Sequence, residues 1–115
     1  VKAGADTLTG SAQQVVGAIG VAAENKGYWF GTQSDQSSLA PDFVVANQVY
    51  DLTGVVKDML ALRQEGTLGG KAYALTLADG LNVVFNDQVT VADDVKAAAQ
   101  AAIDGIKAGA IVPLP

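Results

Sequence analysis

The sequence contains neither cysteine nor histidine among its 115 residues. Without cysteine, the chain forms no disulfide and supplies no thiolate. Without histidine and cysteine, it lacks the usual zinc ligand sets and the general base of Ser-His-Asp triads. These absences exclude the commonest routes to covalent and zinc-assisted catalysis, so the composition favours a protein that binds other molecules over an enzyme.

Positive charge is also scarce, with seven Lys and Arg residues against twelve Asp and Glu and a net charge of −5. The basic residues are spread singly along the chain, so no cluster could neutralise phosphates, and no nucleic-acid partner is expected. An acidic surface also argues against binding to anionic membranes. No apolar run approaches the ~20 residues that a transmembrane helix needs.

Aromatic residues make up only 6% of the sequence, whereas hydrophobic residues make up 50%, with many alanines among them. We therefore expect a core of Val, Leu, Ile and Ala side chains. Trp29, in the middle of a β-prone segment, is expected to pack in this core. The length fits one domain, so residues 1–115 are expected to form a single module.

Short β-prone segments alternate with segments whose apolar residues recur at helical spacing, such as Val15, Ile19 and Ala22. This alternation predicts an α/β fold with a mostly parallel sheet flanked by helices. The turn at residues 78–80 predicts a local β-hairpin within it. Strands are expected at residues 5–9, 28–32, 43–49, 71–76 and 81–85, and helices at residues 11–26, 52–65 and 90–108, capped by Ser11, Asp51 and Thr90.

Polar residues follow the first three predicted strands. Ligands of open parallel sheets bind at the carboxyl ends of the strands, so these residues are expected to form one side of a binding site. They offer amides, hydroxyls and carboxylates without a nucleophile–base pair, which suits hydrogen bonding to a polar ligand and not covalent chemistry. The candidate ligand-binding residues are Gln13, Gln33, Ser34, Asp35, Asn47 and Tyr50.

Simpler roles remain open for several of these residues. The loop after the second strand could be polar only because loops face solvent, and Tyr50 could be a core or edge aromatic. Phosphate-binding motifs are not present: Gly17 and Gly20 fall inside a predicted helix, and the glycines of residues 66–70 lack a following Lys-Ser/Thr pair. Asp35 has no evident carboxylate partner for hydrolysis. No catalytic residue, cofactor or metal site is therefore predicted.

The segment Gly-Thr-Gln-Ser-Asp-Gln-Ser-Ser at residues 31–38, with Pro41 behind it, resembles the basic membrane protein family. These are substrate-binding lipoproteins of ABC transporters for purine nucleosides. Residues 4–6 (Gly-Ala-Asp) and residues 22–27 (Ala-Ala-Glu-Asn-Lys-Gly) resemble upstream features of the family. The glycine pair at residues 69–70 and the final helix resemble its closing hairpin and helix.

The resemblance implies the C-terminal part of a type I periplasmic binding protein, in which two α/β lobes enclose a ligand. It implies a purine base or nucleoside as ligand, an ABC permease as partner, and an extracytoplasmic, lipid-anchored location. The remaining N-terminal lobe or a second chain would complete the cleft. Gln33 and Tyr50 stand where many relatives have Asp and Lys. These two residues would therefore bind ribose more weakly than Asp and Lys do, or would bind a different group.

A second hypothesis follows because the resemblance covers only the C-terminal part of a two-lobe protein. Half of a cleft exposes surface that normally faces the other lobe. The chain could therefore be a structural or partner-dependent α/β piece that assembles with another lobe or chain and has no complete ligand site of its own.

Overall fold

The computed structural model describes residues 2–12 and 14–113. Its elements, in chain order, are β1 (Thr7–Thr9), α1 (Val16–Glu24), β2 (Tyr28–Gln33), a 3-10 helix (Ser37–Leu39), β3 (Val44–Tyr50), α2 (Thr53–Gln64), β4 (Leu81–Phe85) and α3 (Asp93–Lys107). The four strands form one sheet in the order β1-β2-β3-β4. β1 and β2 are parallel, as are β2 and β3, while β4 runs antiparallel to β3. The predicted α/β class, with a mostly parallel sheet, is confirmed.

The core lies between α1 and one face of β2 and β3. Ile19 and Ala22 on α1 are buried with Val15, as the helical spacing predicts, and they pack with Trp29 and Val44. Burying a side chain the size of Val or Ile stabilises the fold by roughly 1.5–3 kcal/mol. The expected Val, Ile and Ala residues are present, but no leucine is among the fully buried core residues that the structure describes. Trp29, 2% exposed, fills the centre instead.

The start of the chain differs from the prediction. β1 has three residues, begins at Thr7, and is exposed apart from the half-buried Leu8, because it lies at the sheet edge and pairs only with β2. α1 begins at Val16, so the prediction of Ser11 as its cap is wrong. The side chains of Thr32 and Gln33, the last two residues of β2, bind the carbonyl groups of Gly10 and Ser11, which holds this segment in a non-helical path.

The predicted hairpin is reduced to a tight turn. Residues 71–75 form no strand, and Thr76 alone bridges to Asp79 and Gly80. β4 pairs with β3 instead of with residues 71–76. The cause is tertiary: the side chains of Lys71 and Tyr73 bind Asp58 on α2 and draw this segment away from the sheet.

One of the later helix ends follows the sequence signals and two do not. Asp51 lies one residue before the N-cap position of α2, which is Leu52, so the prediction of Asp51 as cap is wrong, although its Oδ1 accepts a hydrogen bond from the N–H of Thr53 at 2.9 Å. Gly109, with φ of 72°, ends α3 in the left-handed conformation that glycine favours. Thr90 does not cap α3, which begins at Asp93 with no side-chain cap bond.

Much apolar surface stays uncovered. Neither α2 nor α3 has a buried residue, and Tyr28 and Phe30 on the second face of the sheet are exposed. The radius of gyration is 17.3 Å, whereas a compact chain of this length has about 13 Å. The accessible surface is 7933 Å², whereas a compact monomer of this mass exposes about 5,900 Å².

Within residues 2–12 and 14–113, no helix combines the length and apolar composition needed to cross a bilayer.

Candidate functional site

Asn47, in the middle of β3 and not after it as predicted, is the centre of a hydrogen-bond network that holds the loop after β2. Its side chain is only 1% exposed. The amide oxygen accepts a hydrogen bond from the backbone N–H of Gln36 at 3.1 Å. The amide nitrogen donates to Asp35 Oδ1 and to Ser37 Oγ, both at 2.9 Å. Both amide hydrogens are thus in use, so Asn47 holds the loop after β2 in place and orients Asp35.

Asp35 lies at the solvent-facing side of this network. Its Oδ1 also accepts the N–H of Ser37 at 2.9 Å. Hydrogen bonding from Ser37, through its side chain and then its backbone N–H, lowers the pKa of Asp35, against a smaller opposing effect of burial. Asp35 is therefore an anion at neutral pH. The network uses Oδ1, so among the described residues Oδ2 has no hydrogen-bond partner and is available to a ligand.

Gln36 is buried beneath the loop that follows β2 and holds it in place by two side-chain hydrogen bonds. Its Oε1 accepts a hydrogen bond from Trp29 Nε1 at 2.9 Å, and its Nε2 donates to the carbonyl of Thr32 at 3.0 Å. Gly31 makes this packing possible, because a Cβ at its position would lie 2.1 Å from Asn47 Oδ1 and 2.9 Å from Gln36 Oε1. The sequence pattern did not single out Gln36 as a buried group. The glycine before the polar run was the available signal for close packing at this point.

Gln33 connects the ends of β1 and β2. Its backbone has φ of 74°, a left-handed conformation that is uncommon outside glycine and turns the chain out of the strand. Its Nε2 donates to the carbonyl of Ser11 at 2.7 Å, and the neighbouring Thr32 Oγ1 donates to the carbonyl of Gly10 at 2.6 Å. The amide oxygen of Gln33 remains for a ligand. Gln13, the predicted contact in the same loop, lies outside the described residues.

Tyr50 lies at the same edge of the sheet. It directly follows Val49, which pairs with Gln33, and it is 41% exposed. Side chains alternate along a strand, so the side chain of Tyr50 projects from the opposite face to that of Asn47. Ser34, half-buried, continues from Gln33 toward Asp35. The structure thus brings Gln33, Ser34, Asp35 and Asn47 together, with Tyr50 at the same edge on the other face.

The arrangement is suited to hydrogen bonding and is already formed without a ligand. Every buried side-chain nitrogen or oxygen of the described residues has a hydrogen-bond partner. The exposed side presents the anion of Asp35, the hydroxyl of Ser34 and the amide oxygen of Gln33, which accept or exchange hydrogen bonds with a polar solute. Among the described residues, no group of three or more Asp and Glu side chains could hold a metal ion.

No protein-family model matches this chain, and a search of curated proteins finds no relative with significant similarity. The resemblance to the basic membrane protein family therefore stays a prediction.

Proposed function

We propose that this chain binds a small polar solute, without transforming it, at the carboxyl edge of the sheet. The observation that carries the proposal is the joining of the polar strand ends: Gln33 binds the loop after β1, and Asn47 binds the loop after β2. Ligand sites of open α/β sheets form at such edges. Because the loops are fixed before a ligand arrives, binding costs little ordering of the protein.

We further propose a purine base or nucleoside as the solute. The Asp35 anion accepts hydrogen bonds from a base N–H or a ribose hydroxyl, and the Gln33 amide oxygen accepts from an exocyclic amine. Tyr50 projects from the opposite face of the sheet to Asn47, so the predicted stacking of Tyr50 on the ligand is not part of this proposal. With the family resemblance, this chemistry supports delivery of the solute to an ABC importer outside the cytoplasm.

A calorimetric titration tests solute binding. Adenosine, guanosine, inosine and their free bases are titrated into the chain and into Asp35→Asn, which keeps the shape and removes the charge. Asp42→Asn is the matched control, since Asp42 is an exposed aspartate outside the network. We expect binding to weaken at least about tenfold, equal to about 1.4 kcal/mol, in Asp35→Asn only. Absence of heat with every compound, or equal loss in both variants, would contradict the proposal.

A second candidate function is that of a partner-dependent module, and the exposed surface favours it. The chain exposes 7933 Å², about 2,000 Å² more than a compact monomer of its mass. The exposed apolar side chains include Val56, Met59 and Leu60 of α2. Exposed apolar side chains that adjoin one another are typical of a surface that is buried against another chain or lobe.

A further inference from the structure

A groove runs between α2 and the segment of residues 67–73, away from the candidate solute site. Its volume is about 470 Å³. Val56, Met59 and Leu60 form one wall, and Leu68 and Tyr73 contribute to the other. Met59, Leu60 and Leu68 are all more than half exposed, so nothing in the described chain fills the groove.

Ion pairing fixes the far wall of the groove. Lys71 Nζ lies 2.7 Å from Asp58 Oδ2, and the hydroxyl of Tyr73 donates to the same oxygen. Lys71 Nζ also lies 5.1 Å from the centroid of the Tyr73 ring. Asp58 compensates the charge of Lys71, whereas Arg63, which also lines the groove, makes no salt bridge among the described residues. The groove therefore combines an apolar floor with one uncompensated cationic side chain, in a chain whose net charge is −5.

The same chain carries an amphipathic helix that has no complete partner. Val95, Ala99, Ala102 and Ile106 recur at helical spacing along one side of α3, and no residue of α3 is buried. The helix begins with Asp93 and Asp94, so its start is acidic. Fifteen residues of helix measure about 22 Å. This helix has the apolar stripe and the opposite charge that the groove requires.

We propose that two copies of this chain form a symmetric dimer in which α3 of each copy lies in the α2 groove of the other. Each copy then supplies one helix and one groove, which is the reciprocal pairing of a closed two-fold interface. The excess of about 2,000 Å² that each copy exposes over its whole surface is more than the roughly 800 Å² per partner that a standard interface buries. The proposal deepens the second candidate function and does not depend on solute binding.

The second face of the sheet is the competing position for α3. A shallower depression there, of about 310 Å³, is lined by Phe30, Val45 and Val91 among others. Its lining includes no charged side chain, so it offers nothing to the acidic start of α3. The charge of the groove favours α2 as the acceptor.

Disulfide cross-linking tests the proposal, and the natural absence of cysteine makes every introduced thiol unique. Met59→Cys and Ala102→Cys are made as separate chains, coexpressed and mildly oxidised. We expect a disulfide dimer from the mixture and little from either variant alone. Phe30→Cys mixed with Ala102→Cys reports docking on the sheet face. A disulfide dimer from Phe30→Cys with Ala102→Cys, and none from Met59→Cys with Ala102→Cys, would overturn the proposal. A disulfide dimer of Met59→Cys alone would do the same. So would an intramolecular disulfide in a single chain that carries both Met59→Cys and Ala102→Cys.

Light scattering on the cysteine-free chain provides the second readout. We expect twice the chain mass of 11.7 kDa at micromolar concentration. Leu60→Asp, in the groove, is expected to give monomer, whereas Val16→Asp on α1 is expected to leave the dimer intact. Leu60 and Val16 are equally exposed at 57%, so the pair controls for the loss of an exposed apolar side chain. A monomeric wild-type chain would overturn the dimer while leaving the solute proposal to the titration.

Discussion

Replacing Gly31 by alanine removes the space that the Asn47 amide occupies. The new Cβ would lie 2.1 Å from Asn47 Oδ1, so the amide must leave its position and break its bonds to Gln36, Asp35 and Ser37. An unsatisfied buried N–H at Gln36 costs about 1–3 kcal/mol, and each of the other two bonds contributes about 0.5–1.5 kcal/mol. We therefore expect Gly31→Ala to lower the free energy of unfolding by about 2–6 kcal/mol. That is a large part of a typical total stability of about 5–15 kcal/mol.

Urea denaturation followed by fluorescence measures this change, because Trp29 is the single tryptophan and is buried in the core. The decisive comparison is a double-mutant cycle with Asn47→Ala, which removes the atom that Gly31→Ala meets. If the clash is the cause, the double variant is at most about 1 kcal/mol less stable than Asn47→Ala alone, because only the contact with Gln36 remains. Additive losses would refute the proposed packing of Gly31 against Asn47.

Three further changes probe the groups that support the site. Trp29→Phe leaves Gln36 Oε1 without its buried donor, so urea denaturation is expected to show a loss of about 1–3 kcal/mol in addition to the lost packing. Asn86→Ala removes three hydrogen bonds, two at 2.7 Å to the carbonyls of Pro41 and Val44 and one at 3.0 Å from the N–H of Gln88, and a similar loss is expected in thermal denaturation. The folded pKa of Asp35 is lowered, so its stabilising effect is present above the unfolded pKa and is lost as pH falls through the folded value. Asp35→Asn is expected to reduce the acid sensitivity of unfolding in that window, and an unchanged pH profile would contradict this role.

The elements that the sequence predicted well are those whose local pattern and tertiary environment agree. Val15, Ile19 and Ala22 recur at helical spacing and lie on the buried side of the protein. The aromatic segment from Tyr28 and the apolar segment from Val44 form the two central strands. In these places periodicity and β-propensity correspond to real burial, so local rules were sufficient.

The failures arise where distant contacts decide the conformation. Residues 71–76 have a β-prone composition, yet the binding of Lys71 and Tyr73 to Asp58, thirteen and fifteen residues away in sequence, removes them from the sheet. The start of α1 moves in the same way, because side chains at the end of β2 bind the carbonyls of Gly10 and Ser11. Neither interaction leaves a periodic signal in the chain.

The candidate site was predictable in position and not in detail. The rule that parallel strands gather polar residues at their carboxyl ends agrees with the contacts between Gln33 and Ser11 and between Asp35 and Asn47, although Asn47 itself lies in the middle of β3. It could not show that both amide hydrogens of Asn47 are already in use, nor that Gln36 is buried beneath them. Those roles depend on which atoms face inward once the loop closes, which residue types alone do not determine.

The central claim is that the exposed side of this loop network holds a polar solute. Amide chemical-shift mapping during a titration with adenosine and guanosine tests it most directly, because it locates binding on the chain. We predict that the shifts concentrate at residues 33–37 and at the side-chain amide of Gln33, and that they saturate. Shifts confined to the α2 groove, or none at saturating ligand, would contradict the claim.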